Sequence, residues 1–88
     1  MKERSCIIIL LSIHFVLKAE KLLLADEVVF DVIPVPRSIS SDCGMAIEFP
    51  CSEIKRVWRL LASGGVTVAR LYKRVTGNEF VELDKIDV

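Results

Sequence analysis

An unbroken apolar run near the amino terminus, C-I-I-I-L-L at Cys6 to Leu11, constrains the fold most strongly. Three successive isoleucines favour a β-strand, and the lack of alternating polar side chains indicates that both faces of this strand are buried. Such a strand lies inside a sheet that other elements must cover. The chain has 88 residues, which suffices for one core of this kind.

The segments around this run alternate between strand and helix patterns. Ser12 is a suitable N-cap for a half-buried helix from Ile13 to about Ala25. A second strand is predicted at Val28 to Val35, and its two prolines, Pro34 and Pro36, favour an edge position. The remaining predictions are a polar loop at 37–44, a third strand at 45–49, a helix capped by Ser52 and ended by Gly64-Gly65, and a fourth strand at 66–72.

The order strand, helix, strand, strand, helix, strand predicts an α+β, ferredoxin-like split βαβ sandwich. Its four-stranded antiparallel sheet would carry two helices on one face, with strand three between strands one and two. We assign residues 5–75 to this single domain and 76–88 to an acidic tail or an extra edge strand. Ser12, His14, Arg37 and Cys43 are then expected to converge at one edge of the sheet.

Charge and hydropathy exclude several classes of protein. Twelve Lys and Arg balance twelve Asp and Glu, whereas a nucleic-acid partner favours a clustered basic surplus. The apolar run is too short to span a bilayer, and Glu3 and His14 argue against a secretory signal, so we expect a cytoplasmic protein without a membrane partner. The apolar content of 52% favours a surface that faces a partner or a second copy, as in a homodimer.

Three cysteines and one histidine limit the chemistry of sites. An odd number of irregularly spaced cysteines is a poor disulfide framework, and without a C-x-x-C pair we predict no metal site. No nucleotide-binding or nucleophile-elbow motif occurs, so no cofactor is expected. Cys6 is predicted to be a buried strand residue, whereas Cys51 competes as a reactive thiol because it precedes a helix. We expect these two to lie near each other at the edge opposite Cys43 and to stay reduced, as is usual for thiols in the cytosol.

Cys43 is the strongest candidate for a reactive thiol because it lies in a polar loop. Arg37, the first-turn amides of the first helix and His14 could stabilise its thiolate, whereas the adjacent Asp42 opposes ionisation. From the residues alone, a reactive Cys43 and a structural Cys43 both remain open. Ser40 and Ser41 have no nearby general base that would make either a nucleophile.

The segment I-P-V-P-R-S-I-S-S-D-C-G-M-A-I at Ile33 to Ile47 resembles the signature of a selenium/sulfur carrier-like family of small domains, I-P-x-P-R-x-I-S-x-x-C-G. The resemblance covers about Cys6 to Tyr72. The residues that match the functional positions of the family's signature are Arg37, Ser40, Cys43 and Gly44. Ser12 and His14 match the start of the family's first helix more loosely. The chain departs from the family at Phe15, where members often repeat the histidine, at residues 26–30, which replace a glycine-containing turn, and in the acidic tail.

The resemblance implies a carrier rather than a free-standing enzyme, although whether the chain is an enzyme stays open. Cys43 would accept sulfur or selenium as a persulfide or selenosulfide from a donor protein and pass it to an acceptor. Arg37, Ser40, Ser41 and Gly44 would hold or position the anion, with Ser12 and His14 assisting. The alternative is a regulatory or interaction module that binds an anion or a protein, with a structural Cys43. A peroxidatic or disulfide-exchange enzyme is weaker because no resolving cysteine lies near Cys43.

Overall fold

A computed structural model describes residues 4–39 and 44–84. Within these ranges the chain forms two helices and five strands, and a 3₁₀ turn at Cys51–Glu53 precedes the second helix. Their bounds are β1 Ser5–Leu10, α1 Ile13–Ala25, β2 Asp31–Pro34, β3 Met45–Pro50, α2 Ile54–Ser63, β4 Val68–Thr76 and β5 Glu79–Leu83.

The strands form one antiparallel sheet in the order β2-β3-β1-β4-β5. β1 is central and all six of its residues are buried, as its unbroken apolar run predicts. β3 lies antiparallel between β1 and β2, as expected. The predicted count of four strands is wrong, because Gly77 and Asn78 form a two-residue turn that returns the chain as β5. Of the two predictions for the carboxyl-terminal segment, the edge strand is therefore correct for Glu79–Leu83.

Helix α1 has the predicted bounds and the predicted cap. The Ser12 hydroxyl accepts a hydrogen bond from the Phe15 amide at 3.3 Å, which satisfies one free donor of the first turn. At the other end, the Val28 amide donates to the Leu23 carbonyl at 3.0 Å. Glu27 has a positive φ of 57°, so α1 ends in a Schellman motif with a non-glycine residue at the left-handed position.

Strand β2 is shorter than predicted. It begins at Asp31 rather than Val28, because Val28 completes the end of α1 through its amide and buries its side chain in the core. The edge position predicted from the prolines is confirmed, since β2 pairs with β3 alone within the described sheet.

Helix α2 begins later than predicted. Glu53 occupies the N-cap position in place of Ser52, and its side chain makes no capping hydrogen bond. The Cys51 amide donates to the Arg4 carbonyl at 3.0 Å, so the tight turn is tied to the start of β1 before the helix opens. The predicted stop is confirmed: Gly65 has a φ of 76°, and the Val66 amide donates to the Leu61 carbonyl at 2.9 Å.

Both helices pack on one face of the sheet, where the main core lies, and Trp58 packs partly buried against it. A second, smaller apolar cluster lies on the opposite face, where the loop residue Ile39 covers strand residues. The main core contains these buried side chains: Cys6, Ile8, Leu10, Val16, Ala19, Leu23, Val28, Ile47, Phe49, Val57, Leu61, Val66, Val68 and Leu71.

A polar network joins three strands on this second face. The Ser5 hydroxyl donates to Glu48 Oε2 at 2.5 Å, and Arg74 Nη2 donates to the same oxygen at 2.9 Å. Arg74 also stacks over the Phe80 ring at 4.8 Å from its centroid, which fastens β5 to β4. The network thereby holds the sheet together at the end where β1 begins.

Candidate functional site

The candidate site is the loop between β2 and β3, residues 35–44, which we call the flap. Its base is closed by a hydrogen bond from the Val35 amide to the Gly44 carbonyl at 3.0 Å. The next pair in register is Pro34 with Met45, at the end of β2 and the start of β3. Since Ile9 of β1 pairs with Ala46, the end of β1 lies at this same edge of the sheet, as the topology predicts.

Cys43, the predicted acceptor, lies outside the described residues, as do Ser40, Ser41 and Asp42. Gly44, which follows Cys43 directly in the chain, is exposed and has a φ of 75°. A Cβ atom built at Gly44 would meet nothing within 4 Å. Backbone conformation rather than crowding therefore favours glycine here, and the surface at Gly44 is open to a partner molecule.

Ile39 anchors the described part of the flap. Its amide donates to the Pro36 carbonyl at 2.9 Å, which closes a turn. Its side chain is 6% exposed and packs with Ile7, Ile9 and Tyr72 on the sheet face that the helices leave uncovered. The described residues 35–39 of the flap therefore run back over the sheet.

This course determines where Arg37 lies. Arg37 is exposed and lines a cleft of about 320 Å³ with Pro36, Ser38 and Asn78. Asn78 belongs to the β4–β5 turn, at the end of the sheet where β1 begins. Among the described residues, the Arg37 guanidinium has no hydrogen-bond or ion-pair partner, so no described carbonyl holds it.

Ser12 and His14 lie at the opposite end, just after β1 finishes. The Ser12 hydroxyl is engaged as the cap of α1. The exposed His14 ring is tilted against Phe15, with 6.1 Å between ring centroids, and it lines a cleft of about 390 Å³ with Leu17, Lys18 and Lys21. Six residues of β1 span roughly 20 Å. Ser12 and His14 therefore lie at the end of the sheet where the flap begins, whereas Arg37 lies toward the other end, beside Asn78.

The other two thiols behave as a pair. Cys6 Sγ and Cys51 Sγ lie 2.6 Å apart, which confirms the predicted approach of these cysteines. Cys6 is 1% exposed, and this burial, reinforced by the contact with Cys51, raises the pKa of the Cys6 thiol well above its ordinary value, an effect that Lys73 partly opposes. The six residues of β3 separate Cys51 from Gly44, so this pair is distinct from the flap base.

Sequence reasoning did not find two features near the flap. Asn78 lines the Arg37 cleft, but it lies forty-one positions from Arg37 and only the course of the flap joins them. Lys18 and Lys21 line the His14 cleft. Lys21 lies about two helical turns beyond His14, which places both residues on one side of α1.

The fold and the flap define a small α+β domain that presents a polar, glycine-ended loop at one edge of an antiparallel sheet. The sequence profile of a family described as "Putative Se/S carrier protein-like" matches residues 5–73, and the chain belongs to this family. No curated protein and no solved structure matches the chain. Within the described ranges, neither helix has the length and apolar character needed to cross a bilayer.

Proposed function

We propose that this chain is a cytoplasmic sulfur or selenium carrier of ferredoxin-like fold, with Cys43 as the acceptor thiol. The family match carries the proposal, because it extends over residues 5–73 and so includes the flap and Cys43. The order β2-β3-β1-β4 of the first four strands supports the ferredoxin-like classification. The open surface at Gly44 supports access by a protein donor and a protein acceptor.

The transfer is a thiolate exchange. The Cys43 thiolate attacks the terminal sulfur of a persulfide on the donor, a bond forms between Cys43 Sγ and that sulfur, and the donor cysteine leaves as a thiolate. An acceptor thiolate then attacks the carried sulfur and Cys43 leaves in turn. Selenium passes in the same way as a selenosulfide. Each step exchanges one chalcogen bond for another, so neither a cofactor nor an external oxidant takes part.

The other predicted residues have separate tasks in this proposal. The Ser40 and Ser41 hydroxyls and the backbone at Gly44 hold the carried anion, because they flank Cys43 in the chain. His14, at the edge where the flap begins, assists them, while Ser12 acts through its cap of α1. Arg37 lies beside Asn78, so we assign it to attraction of anionic groups on the donor or acceptor protein.

Sulfur loading tests the acceptor. The full chain is incubated with a cysteine desulfurase and cysteine, and its intact mass is measured before and after reduction. We expect one reducible sulfur atom on the wild type, none on Cys43→Ser, and an unchanged load on the matched control Cys51→Ser. Unchanged loading of Cys43→Ser, or an unloaded wild type, contradicts the proposal. Repeating the reaction with a selenocysteine lyase and selenocysteine compares the two elements.

A charge variant tests the role of Arg37. Arg37→Gln is expected to slow loading several-fold at low salt, and the difference should shrink as ionic strength screens the attraction. Arg59→Gln is the matched control, since Arg59 is an exposed arginine on α2. If both variants load alike, Arg37 has no such role. If the wild type takes up no sulfur, and Cys43→Ser still binds a partner protein or an anion, the regulatory or interaction module is favoured over the carrier.

A further inference from the structure

The thiol pair Cys6–Cys51 lies apart from the flap, with β3 between Cys51 and Gly44. Cys6 belongs to β1, and Cys51 opens the 3₁₀ turn after β3. Around them, Ser5 pairs with Pro50, and the Cys51 amide donates to the Arg4 carbonyl at 3.0 Å. In this register Cys6 pairs with Phe49, so Cys51, two positions further along the chain, is a diagonal neighbour of Cys6.

The sulfur atoms lie close to bonding distance. Their separation is 2.6 Å, and a disulfide requires about 2.05 Å. Formation of a disulfide from this contact would shorten the separation by roughly half an ångström. Two thiols in contact, one behind the other, are the arrangement that a disulfide-exchange reaction uses.

The two thiols differ in access. Cys6 is 1% exposed within the main core, whereas Cys51 is partly exposed at its margin. A reactant from solvent therefore meets Cys51 first. Burial raises the pKa of the Cys6 thiol, which disfavours a first attack by Cys6 on a reactant from solvent. Its contact with Cys51 Sγ instead places it to attack a bond already formed on Cys51.

We propose that Cys6 and Cys51 form a second thiol site, which exchanges with small-molecule disulfides such as glutathione disulfide and closes an intramolecular disulfide. Cys51 attacks one glutathione sulfur, forms a mixed disulfide and releases the first glutathione. Cys6 Sγ then attacks Cys51 Sγ, the second glutathione leaves, and the Cys6 proton passes to its thiolate. The dithiol loses two electrons and the glutathione disulfide gains them.

Closure would join β1 to the start of the α2 region across 45 positions of the chain. Because a cross-link over such a loop removes conformational freedom from the unfolded chain, the oxidised protein should be more stable than the reduced one. We expect Tm to rise by about 8 °C or more on oxidation. This site goes beyond the carrier role, which uses Cys43.

Mass spectrometry of the folded chain in a Cys43→Ser background tests the proposal. After incubation with glutathione disulfide and acid quenching, we expect a product lighter by two hydrogen atoms that carries no glutathione. With Cys6→Ala added, one glutathione should remain on Cys51. With Cys51→Ala added instead, no glutathione should bind, because the remaining thiol is buried.

A second measurement needs no substitution. The wild-type chain is oxidised in the same way, unfolded in an alkylating reagent and mapped by peptides without reduction, and a Cys6–Cys51 linked peptide is expected. A stable glutathione adduct as the end product, no reaction at all, or a linked peptide that contains Cys43 would each overturn the proposal. Since sulfur loading is measured on Cys43, failure here leaves the carrier test unaffected.

Discussion

At the scale of single residues, both helices end at a residue in the left-handed backbone conformation, but the two residues differ. α1 places Glu27 at a φ of 57°, and α2 places Gly65 at a φ of 76°. A Cβ atom in the left-handed region costs roughly 1–2 kcal/mol, which glycine avoids. Glu27 therefore carries a conformational cost at the end of α1 that Gly65 avoids at the end of α2.

Replacing Glu27 tests this cost. Glu27→Gly is expected to raise the free energy of unfolding by about 0.5–1 kcal/mol, because relief of the left-handed strain exceeds the added freedom of the unfolded chain. Glu20→Gly, the same substitution inside α1, should lower it by about 1 kcal/mol. Urea denaturation under reducing conditions measures both, and equal signs for the two variants would contradict the interpretation.

At the scale of elements, the flap takes its course from the uncovered face of the sheet. The helices bury one face, and Ile7 and Ile9 of β1 remain apolar on the other. Ile39 covers them, since an exposed apolar patch in the middle of a sheet is unfavourable. Ile39 therefore covers a sheet face that has no helix packed on it. The position of Arg37, two residues earlier in the flap, follows from this anchor.

Ile39→Ala tests the anchor. Truncation of this buried side chain should lower the free energy of unfolding by about 2–4 kcal/mol, because it leaves a cavity over β1. The matched control Ile13→Ala changes a side chain that is 50% exposed, and it should change stability by about 0.5 kcal/mol or less. Urea denaturation distinguishes them. Similar small effects would show that Ile39 does not hold the flap on the sheet.

At the scale of the whole molecule, the buried Cys6 couples stability to pH. Its pKa is raised in the folded state, first by burial and then by Cys51, so the folded protein keeps the proton that the unfolded chain releases near the ordinary value of 9.0. This contribution is fully present below that pH. Above it the unfolded state binds fewer protons, and stability falls as pH rises.

Denaturation with a reducing agent at several values of pH above 9 measures this coupling. The free energy of unfolding should fall by at most about 1.4 kcal/mol per pH unit through Cys6. Cys6→Ala should be less stable at neutral pH but show a shallower fall. Cys51→Ala keeps Cys6 buried and should retain most of the wild-type slope. Identical slopes for the wild type and Cys6→Ala would refute the coupling.

Local signals in the sequence predicted much of the fold. Ser12 and the spacing of apolar residues predicted both bounds of α1, and the prolines placed β2 at an edge, because caps and periodicity depend on neighbours along the chain. The prediction that Ser52 caps α2 was wrong because the start of this helix depends on a contact between distant residues. The attachment of Cys51 to Arg4, 47 positions away, creates a turn there, and a long-range hydrogen bond leaves no local pattern.

In the candidate site, too, features that depend on neighbouring residues were predictable and features that depend on distant residues were not. By itself the sequence determined the order of elements, the central buried strand and the motif that singles out Cys43, since each rests on residues close together in the chain. Only the tertiary structure decided that Arg37 lies beside Asn78 and how closely Cys6 meets Cys51. The first depends on the apolar sheet face that Ile39 covers, and the second on the pairing of β1 with β3 and the turn that follows β3. Both exist only in the folded molecule.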